Sequence, residues 1–484
     1  MSLSVPPAIP ASSEKSTCLL WIVAIGFFMQ ALDSTVVNTT LPAIANTLNE
    51  SPLRMQSVII SYVLTTAMLI PASGWLADHF GTRRTFLIAI ILFTSGSVGC
   101  ALSSTLQQLV IARIIQGAGG ALLVPVGRLS LLRAIPRNDF LQAMSFVTIP
   151  GLIGPLIGPT LGGWLVEVAS WHWVFLINLP IGVAGYFFAS KHMPDFRSIT
   201  YLPFDYMGYI LLSFSMIAIS LSLDGLSDLA MQHATVLILL FLGLVSLTAY
   251  WLRAIRFLNP LFPLALFKVH SFCIGFFGNL FARIGSGSMP FLIPLFLQVG
   301  LGYSPVKAGV LMIPVAVAGI VSKKISNPLI KKMGYRNVLV INTLCVGIMI
   351  ASFSLAAPAH YMSLFVLQLI MFGAVNSLQF TAMNTVTLKD LKDDLVSSGN
   401  SLLSMIMMLS MSFGVATAGG LLRTFREVFS NLGSIQTLKA FQYTFICIGL
   451  ITIASTWIFG QLDNECKPPL FKGFFRRRSQ MLTK

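Results

Sequence analysis

Apolar residues fill this chain in long runs, and its polar positions collect in the short stretches between them. A helix rising 1.5 Å per residue needs about 20 apolar residues to cross a ~30 Å hydrocarbon core. Fourteen runs fit that length: 18–38, 56–76, 85–104, 106–126, 142–166, 173–193, 207–226, 234–253, 271–299, 303–323, 336–357, 361–385, 397–421 and 440–460. Gly and Pro occur inside several of them, and membrane helices tolerate both. The pattern predicts an all-α integral membrane protein with 14 transmembrane helices. Lys15 and the first run resemble a cleavable leader, but the run is too long for one and contains Asp33. It is read as a retained first helix.

Composition supports this reading. The 484 residues are 55% hydrophobic and 10% charged, far from the quarter-charged norm of soluble domains. A net charge of +15 would fit nucleic acid only on a soluble basic face, whereas these basic residues are spread over the connections. With a cytoplasmic N-terminus, 24 Lys and Arg fall in inner connections and tails and 5 in outer ones. That asymmetry predicts a multi-pass bacterial inner-membrane protein with both termini in the cytoplasm. The tail residues Arg476, Arg477 and Arg478, beside Phe474 and Phe475, fit an anionic-lipid anchor. The six cysteines are scattered without metal-ligand spacing and read as apolar fillers, so no metal site is expected. A GxxxxGK phosphate loop is absent, which disfavours an ATP-driven pump.

The chain also echoes itself. Residues 73–83 align with 326–336 at an offset of 253, and 160–163 align with 417–420 at 257. Two six-helix halves with helices 7 and 8 inserted between them account for both matches, as in many secondary transporters. The expected organisation is an N-terminal bundle (1–193), a central linker with two helices (194–270), a C-terminal bundle (271–460) and a basic cytoplasmic tail (461–484).

Of 47 formally charged residues, only Asp33, Arg113 and Arg283 sit deep inside the apolar runs. A charge at mid-membrane costs roughly 2.5–3.5 kcal/mol on insertion scales, so each needs a partner, water or a function. Helical rise puts all three at similar depth, roughly 8–12 Å below the outer surface.

Several stretches resemble the 14-helix drug:proton antiporter branch of the major facilitator superfamily. They are 32–42 (LDSTVVNTTLP) in the first helix, 74–84 (GWLADHFGTRR) after the second, 113–120 (RIIQGAGG) in the fourth, 154–163 (GPLIGPTLGG) in the fifth and 171–180 (WHWVFLINLP). Residues 397–405 and 283–287 most resemble the MdtD-type multidrug transporters of enteric bacteria. Two departures stand out. His79 and Thr82 occupy loop positions that are usually basic, and Ser145 stands where the fifth-helix motif usually begins with Gly.

The resemblance implies the major facilitator fold and a proton-coupled antiporter, driven by the proton gradient without a cofactor. In the loop, Gly74, Asp78, Gly81, Arg83 and Arg84 would form a gating latch. Physically, Gly74 permits close helix contact, Gly81 a tight turn, and Asp78 a bond to a helix N-terminus or an Arg. The plainer alternative is a loop that only anchors topology. In helix 5, Gly154, Gly158 and Gly162 form a smooth stripe beside Pro155 and Pro159, with Gly163 next to it. The stripe is either plain tight packing or, as the resemblance implies, a pliant contact between the halves.

Helices 1 and 4 are neighbours in that fold, so Asp33 and Arg113 can pair. The pair is either static or proton-coupling, with Arg113 favouring the carboxylate until the two separate. Asp33, Arg113, Gln116 and Arg283 are the expected cavity residues. Arg283 has no acidic partner left in the membrane and either bonds polar groups or meets a ligand. Met405, Met407, Met408 and Met411 would suit an adaptable drug-binding wall, or else simply face lipid.

The reading that results is an exporter of drug-like or amphipathic small molecules working by alternating access. Its partners are substrate, protons and membrane lipids, and it is expected to be a monomer. Two buried Arg against one Asp leave open an anionic substrate, such as a carboxylate or its metal chelate. A non-transporting receptor or scaffold is the distant alternative. No clustered His, Cys or carboxylate pair points to an enzyme.

Overall fold

The computed structural model describes residues 14–197, 204–225, 233–257, 259–355, 362–430 and 436–462. The basic tail residues and Cys466 lie outside the described residues. Among the described residues, fourteen helices are long and apolar enough to cross a membrane. In the first half they are α1 (Thr17–Thr39), α2 (Pro52–Phe80), α3 (Thr82–Ala101), α4 (Leu106–Ala134), α5 (Ile149–Val168) and α6 (His172–His192). Between the halves lie α7 (Tyr206–Leu223) and α8 (Ala234–Arg256). The second half holds α9 (His270–Gly300), α10 (Pro305–Ser326), α11 (Pro328–Leu355), α12 (Met362–Leu388), α13 (Ser398–Val428) and α14 (Gln436–Phe459). With an even number of crossings, α1 begins and α14 finishes at one end of the bundle, here the termini end. The opposite face is the far end.

Within the first half, α1 packs on α4, α5 and α6, while α4 packs on α2 and α3. The second half repeats the scheme, with α9 on α12, α13 and α14 and α11 on α14. The halves meet along two seams, α5 against α10 and α2 against α13. The inserted pair lies along only one of them. Leu212 and Met216 of α7 join Leu64 and Ala67 of α2 and Leu402 to Leu409 of α13 in one apolar cluster. Ser220 and Ser412 place their hydroxyls 3.2 Å apart across the same contact. At the start of α7, the buried Asp205 accepts from Arg253 of α8 and from the Gly208 amide, both at 2.9 Å.

The internal repeat is visible in the backbone. Gly81 (φ 94°, ψ 149°), between α2 and α3, and Gly334 (φ 77°, ψ 159°), at a kink near the start of α11, turn the chain in the same region of backbone space, 253 positions apart. L-residues rarely adopt that region, so each turn depends on glycine.

The structure departs from the apolar pattern at α4. The run 106–126 predicts a shorter helix, with Arg128 and Arg133 in the following connection. Instead α4 continues to Ala134 and carries both arginines on its last turns. Buried Leu131 and Ala134 hold this extension against the bundle, and the long Arg stems can reach the interface from within a helix.

The methionines of α13 pack inward. Met405 is buried, and Met407 and Met408 lie against the α2–α7–α13 cluster.

A buried polar cluster and a lone arginine

Asp33 projects from α1 into the core of the first half, where α3, α4 and α6 converge. Arg113 and Gln116, three residues apart, share one face of α4. Gly96 on α3 makes this possible, since a Cβ there would collide with the Gln116 backbone. Arg113 Nη1 donates to Asp33 Oδ2 at 2.6 Å and to Gln116 Oε1 at 2.7 Å. Gln116 Nε2 in turn donates to Asp33 Oδ1 at 2.7 Å, and Asn178 Nδ2 of α6 donates to the same oxygen at 3.2 Å. Asn178 also donates to Ser97 Oγ (3.0 Å), and Ser97 donates to the Phe175 carbonyl (2.8 Å). Arg113 Nε reaches the Val58 carbonyl at 3.3 Å, and its guanidinium lies 4.2 Å from the centre of the Tyr62 ring.

The cluster is closed. Asp33, Gln116 and Asn178 are 0% exposed and Arg113 is 2% exposed. The sequence reading placed Asp33, Arg113 and Gln116 on the wall of a substrate cavity, whereas here they lie inside one half. The reason is coordination: a buried charge pair is tolerable when its remaining hydrogen-bonding capacity is filled, and four helices supply the groups. Chemically, the arrangement surrounds both carboxylate oxygens of Asp33 with hydrogen-bond donors. A proton could reach them only after the surrounding donors had moved away.

Arg283 is separate from this cluster. It lies on α9, where Nη2 donates to Asn279 Oδ1 at 3.2 Å and the guanidinium sits 4.6 Å from the Phe380 ring of α12. Among the described residues no carboxylate pairs with it, and its buried Nε has no hydrogen-bond partner. Asn279 is itself tied to the Gly275 carbonyl (2.9 Å) and Thr387 Oγ1 (3.3 Å). A further polar link joins α11 to α12, as Asn342 donates to Gln379 Oε1 (2.8 Å) and Gln379 to Thr343 Oγ1 (2.6 Å).

The signature loop forms at the termini end. Asp78 pairs with Arg133 of α4, within its own half. Thr82, at a usually basic position, exchanges hydrogen bonds with Phe196: its amide donates to the Phe196 carbonyl and its hydroxyl accepts from the Phe196 amide, both at 3.0 Å. The Arg83 amide donates to Asp195 Oδ1 at 3.2 Å, which fixes the segment after α6 over the first turn of α3. His79 stacks on Trp75, and Trp75 also meets Phe204 and Tyr206 at the start of α7. Arg84 is exposed. Gly74 does not make the close contact expected of it, because a Cβ there would meet nothing within 4 Å.

The glycine stripe also needs correcting. Gly154, Gly158 and Gly162 face α1 of the same half, against Ala31 and Leu32, Thr35, and Val36 and Thr39. Thr39 Oγ1 reinforces this contact by donating to the Pro159 carbonyl at 3.0 Å. The contact between halves falls on the neighbouring face. Gly163, one residue and ~100° further round the helix, lies against Pro305 of α10, and Thr160 Oγ1 donates to the Gly309 carbonyl at 3.2 Å. Four-residue spacing reveals a smooth face but not which neighbour it meets.

Sequence reasoning missed Asn178, Ser97, Asn342 and Gln379. The available signal was an uncharged polar side chain deep in an apolar run. Among the described residues no three His, Cys, Asp or Glu side chains come together as a metal site requires.

Two pseudo-symmetric six-helix bundles with an extra pair between them define a membrane transporter. The chain belongs to the Major Facilitator Superfamily, whose family model matches residues 23–415. It is 48% identical over 446 residues to a Pectobacterium carotovorum protein named "Putative multidrug resistance protein MdtD", covering 92% of this chain and 96% of that one. A Serratia proteamaculans protein of the same name is 49% identical over 448 residues, covering 92% and 93%. Among solved structures, a D-xylose–proton symporter shares the fold at a TM-score of 0.63 and 15% identity, covering 93% of this chain and 98% of that one. A POT family transporter bound to a thioalcohol-conjugated peptide aligns at 0.66 and 17%, covering 96% of each. Membership of this family makes the chain a transporter and not an enzyme.

Proposed function

We propose that this chain is a proton-coupled antiporter that exports drug-like or amphipathic small molecules by alternating access. The observation that carries this reading is the closed cluster around Asp33. A single carboxylate, bonded by Arg113, Gln116 and Asn178 and buried inside one half of a transporter, is suited to exchange a proton when helix movement loosens its donors. The names of its bacterial relatives support a multidrug substrate class. The loop-charge bias supports a cytoplasmic termini end in a bacterial inner membrane. Signature-loop residues Gly74, Asp78, Gly81, Arg83 and Arg84 would serve the gate at that end, and Gly163 with Thr160 the seam between halves.

A second reading concerns the substrate. Arg113 is neutralised by Asp33, whereas Arg283, deep in its span and without a carboxylate partner among the described residues, can meet a solute. Its unused Nε favours an anion such as a carboxylate or its metal chelate. The test is transport in proteoliposomes under an imposed pH gradient, with cationic, neutral and anionic candidates. Uptake that follows the gradient and disappears in Asp33→Asn supports the proposal. Uptake indifferent to the gradient overturns proton coupling.

A further inference from the structure

Three hydrogen bonds among the described residues join the two halves at the far end of the bundle. Gln298 Nε2 of α9 donates to the Thr39 carbonyl at the end of α1 (2.8 Å), and Thr160 of α5 donates to the Gly309 carbonyl (3.2 Å). In the third, Glu167 Oε1, at the last turn of α5, accepts from the Val306 amide at 3.1 Å. Val306 belongs to the first turn of α10, where amides have no partner within their own helix and the helix dipole favours negative charge. Ser304 caps the same turn by accepting from the Lys307 amide (3.3 Å), so Glu167 and Ser304 take different amides. Lys307 turns its ammonium toward the Tyr303 ring, 3.6 Å from the centroid. Among the described residues no salt bridge engages Glu167. Of these three bonds, the one from Glu167 carries a charge and the other two are neutral.

At the termini end the corresponding acid is spent inside its own half, since Asp78 pairs with Arg133. One acidic residue of the first half thus reaches a helix of the second half at the far end, and its counterpart at the termini end does not. We infer that Glu167 is the far-end clasp of the transport cycle: its carboxylate on the first turn of α10 holds the far end shut, and its release accompanies opening there. The inference rests on the alternating-access part of the proposed function and needs neither the substrate nor the proton. It gives Glu167 a positioning role, acting on the balance between two conformations.

Hydrogen exchange of the full-length protein in lipid nanodiscs tests this without any transported solute. Glu167→Gln keeps an acceptor but loses the charge, and Glu167→Ala loses both. Because Glu167 is exposed, neither should impair folding. Loss of a charged clasp should raise exchange in segments 158–168 and 300–312 about five-fold in Glu167→Ala and less in Glu167→Gln. If the clasp sets the balance, segments 74–84 and 389–400 at the opposite end must slow in the same samples. Faster exchange confined to 304–308 would reduce Glu167 to a local helix cap. Unchanged exchange, or loosening at both ends together, would equally overturn the inference. Failure of proton-driven transport in proteoliposomes would leave this result standing, so the two proposals fail separately.

Discussion

Asp33 and Arg113, 80 positions apart in sequence, meet at 2.6 Å in the interior of one six-helix half. Neither can be altered alone without leaving the other charged and enclosed. Loss of one member of a buried pair is strongly destabilising, about 3–5 kcal/mol, whereas neutralising both together is far milder.

Asp33→Asn should therefore lower the thermal midpoint of the purified protein markedly, and Arg113→Gln should do the same. The double variant should recover most of the loss. Proton-driven transport should be absent from all three, including the recovered double variant, because an amide carries no proton. A double variant that regains transport along with stability would make the pair purely structural.

The helices were legible because crossing a membrane imposes a minimum apolar length that few other folds require. The repeat was legible because the turn at Gly81 and Gly334 needs the same residue twice. The pairing of Asp33 with Arg113 followed once helices 1 and 4 were taken as neighbours. Rotation about each helix axis was not legible. The spacing of Gly154, Gly158 and Gly162 is the same whichever helix they face, and only packing settled that they meet α1. Asn178 was hidden for a related reason. An uncharged amide carries a smaller insertion penalty than a charge, so it draws less attention in an apolar run although it completes the coordination of Asp33.

The loop-charge bias makes a simple demand on topology. Reporter fusions placed after residues 230 and 433 should read as outside the cytoplasm, and one after residue 257 as inside. A cytoplasmic signal at 230 or 433 would invert or break the fourteen-span orientation.

Glycines on the two faces of α5 should behave differently. Gly158→Val forces side-chain atoms into Thr35 and the α1 backbone, within one half. Overpacking of this kind costs about 1–3 kcal/mol, so the variant should melt earlier. Gly163→Val instead presses on the Pro305 carbonyl across the seam. It should leave the melting midpoint nearer to wild type while raising the reactivity of far-end cysteine labels. Equal loss of stability in both variants, with no change in labelling, would remove the distinction between the two faces.

Arg283 separates the two substrate readings. Among the described residues its guanidinium is held by Asn279 and the Phe380 ring, and its Nε has no acceptor. Arg283→Gln removes the charge, and Gln can still hydrogen-bond Asn279, so folding should survive. If the substrate is anionic, binding should weaken by roughly two orders of magnitude or more, because a charge buried against its ligand is worth several kcal/mol. A cationic or neutral substrate should bind as well as before or slightly better, since a repulsive or idle charge has gone. Arg283→Lys sharpens the comparison, because it keeps the charge but loses the planar fork that grips a carboxylate at two points. An anion held bidentately should discriminate strongly against Lys, and one attracted only by charge should tolerate it. Isothermal titration of candidate anions and cations against the three proteins reads this directly. Anion binding unchanged in Arg283→Gln would dispose of the anionic reading and leave the drug-like one.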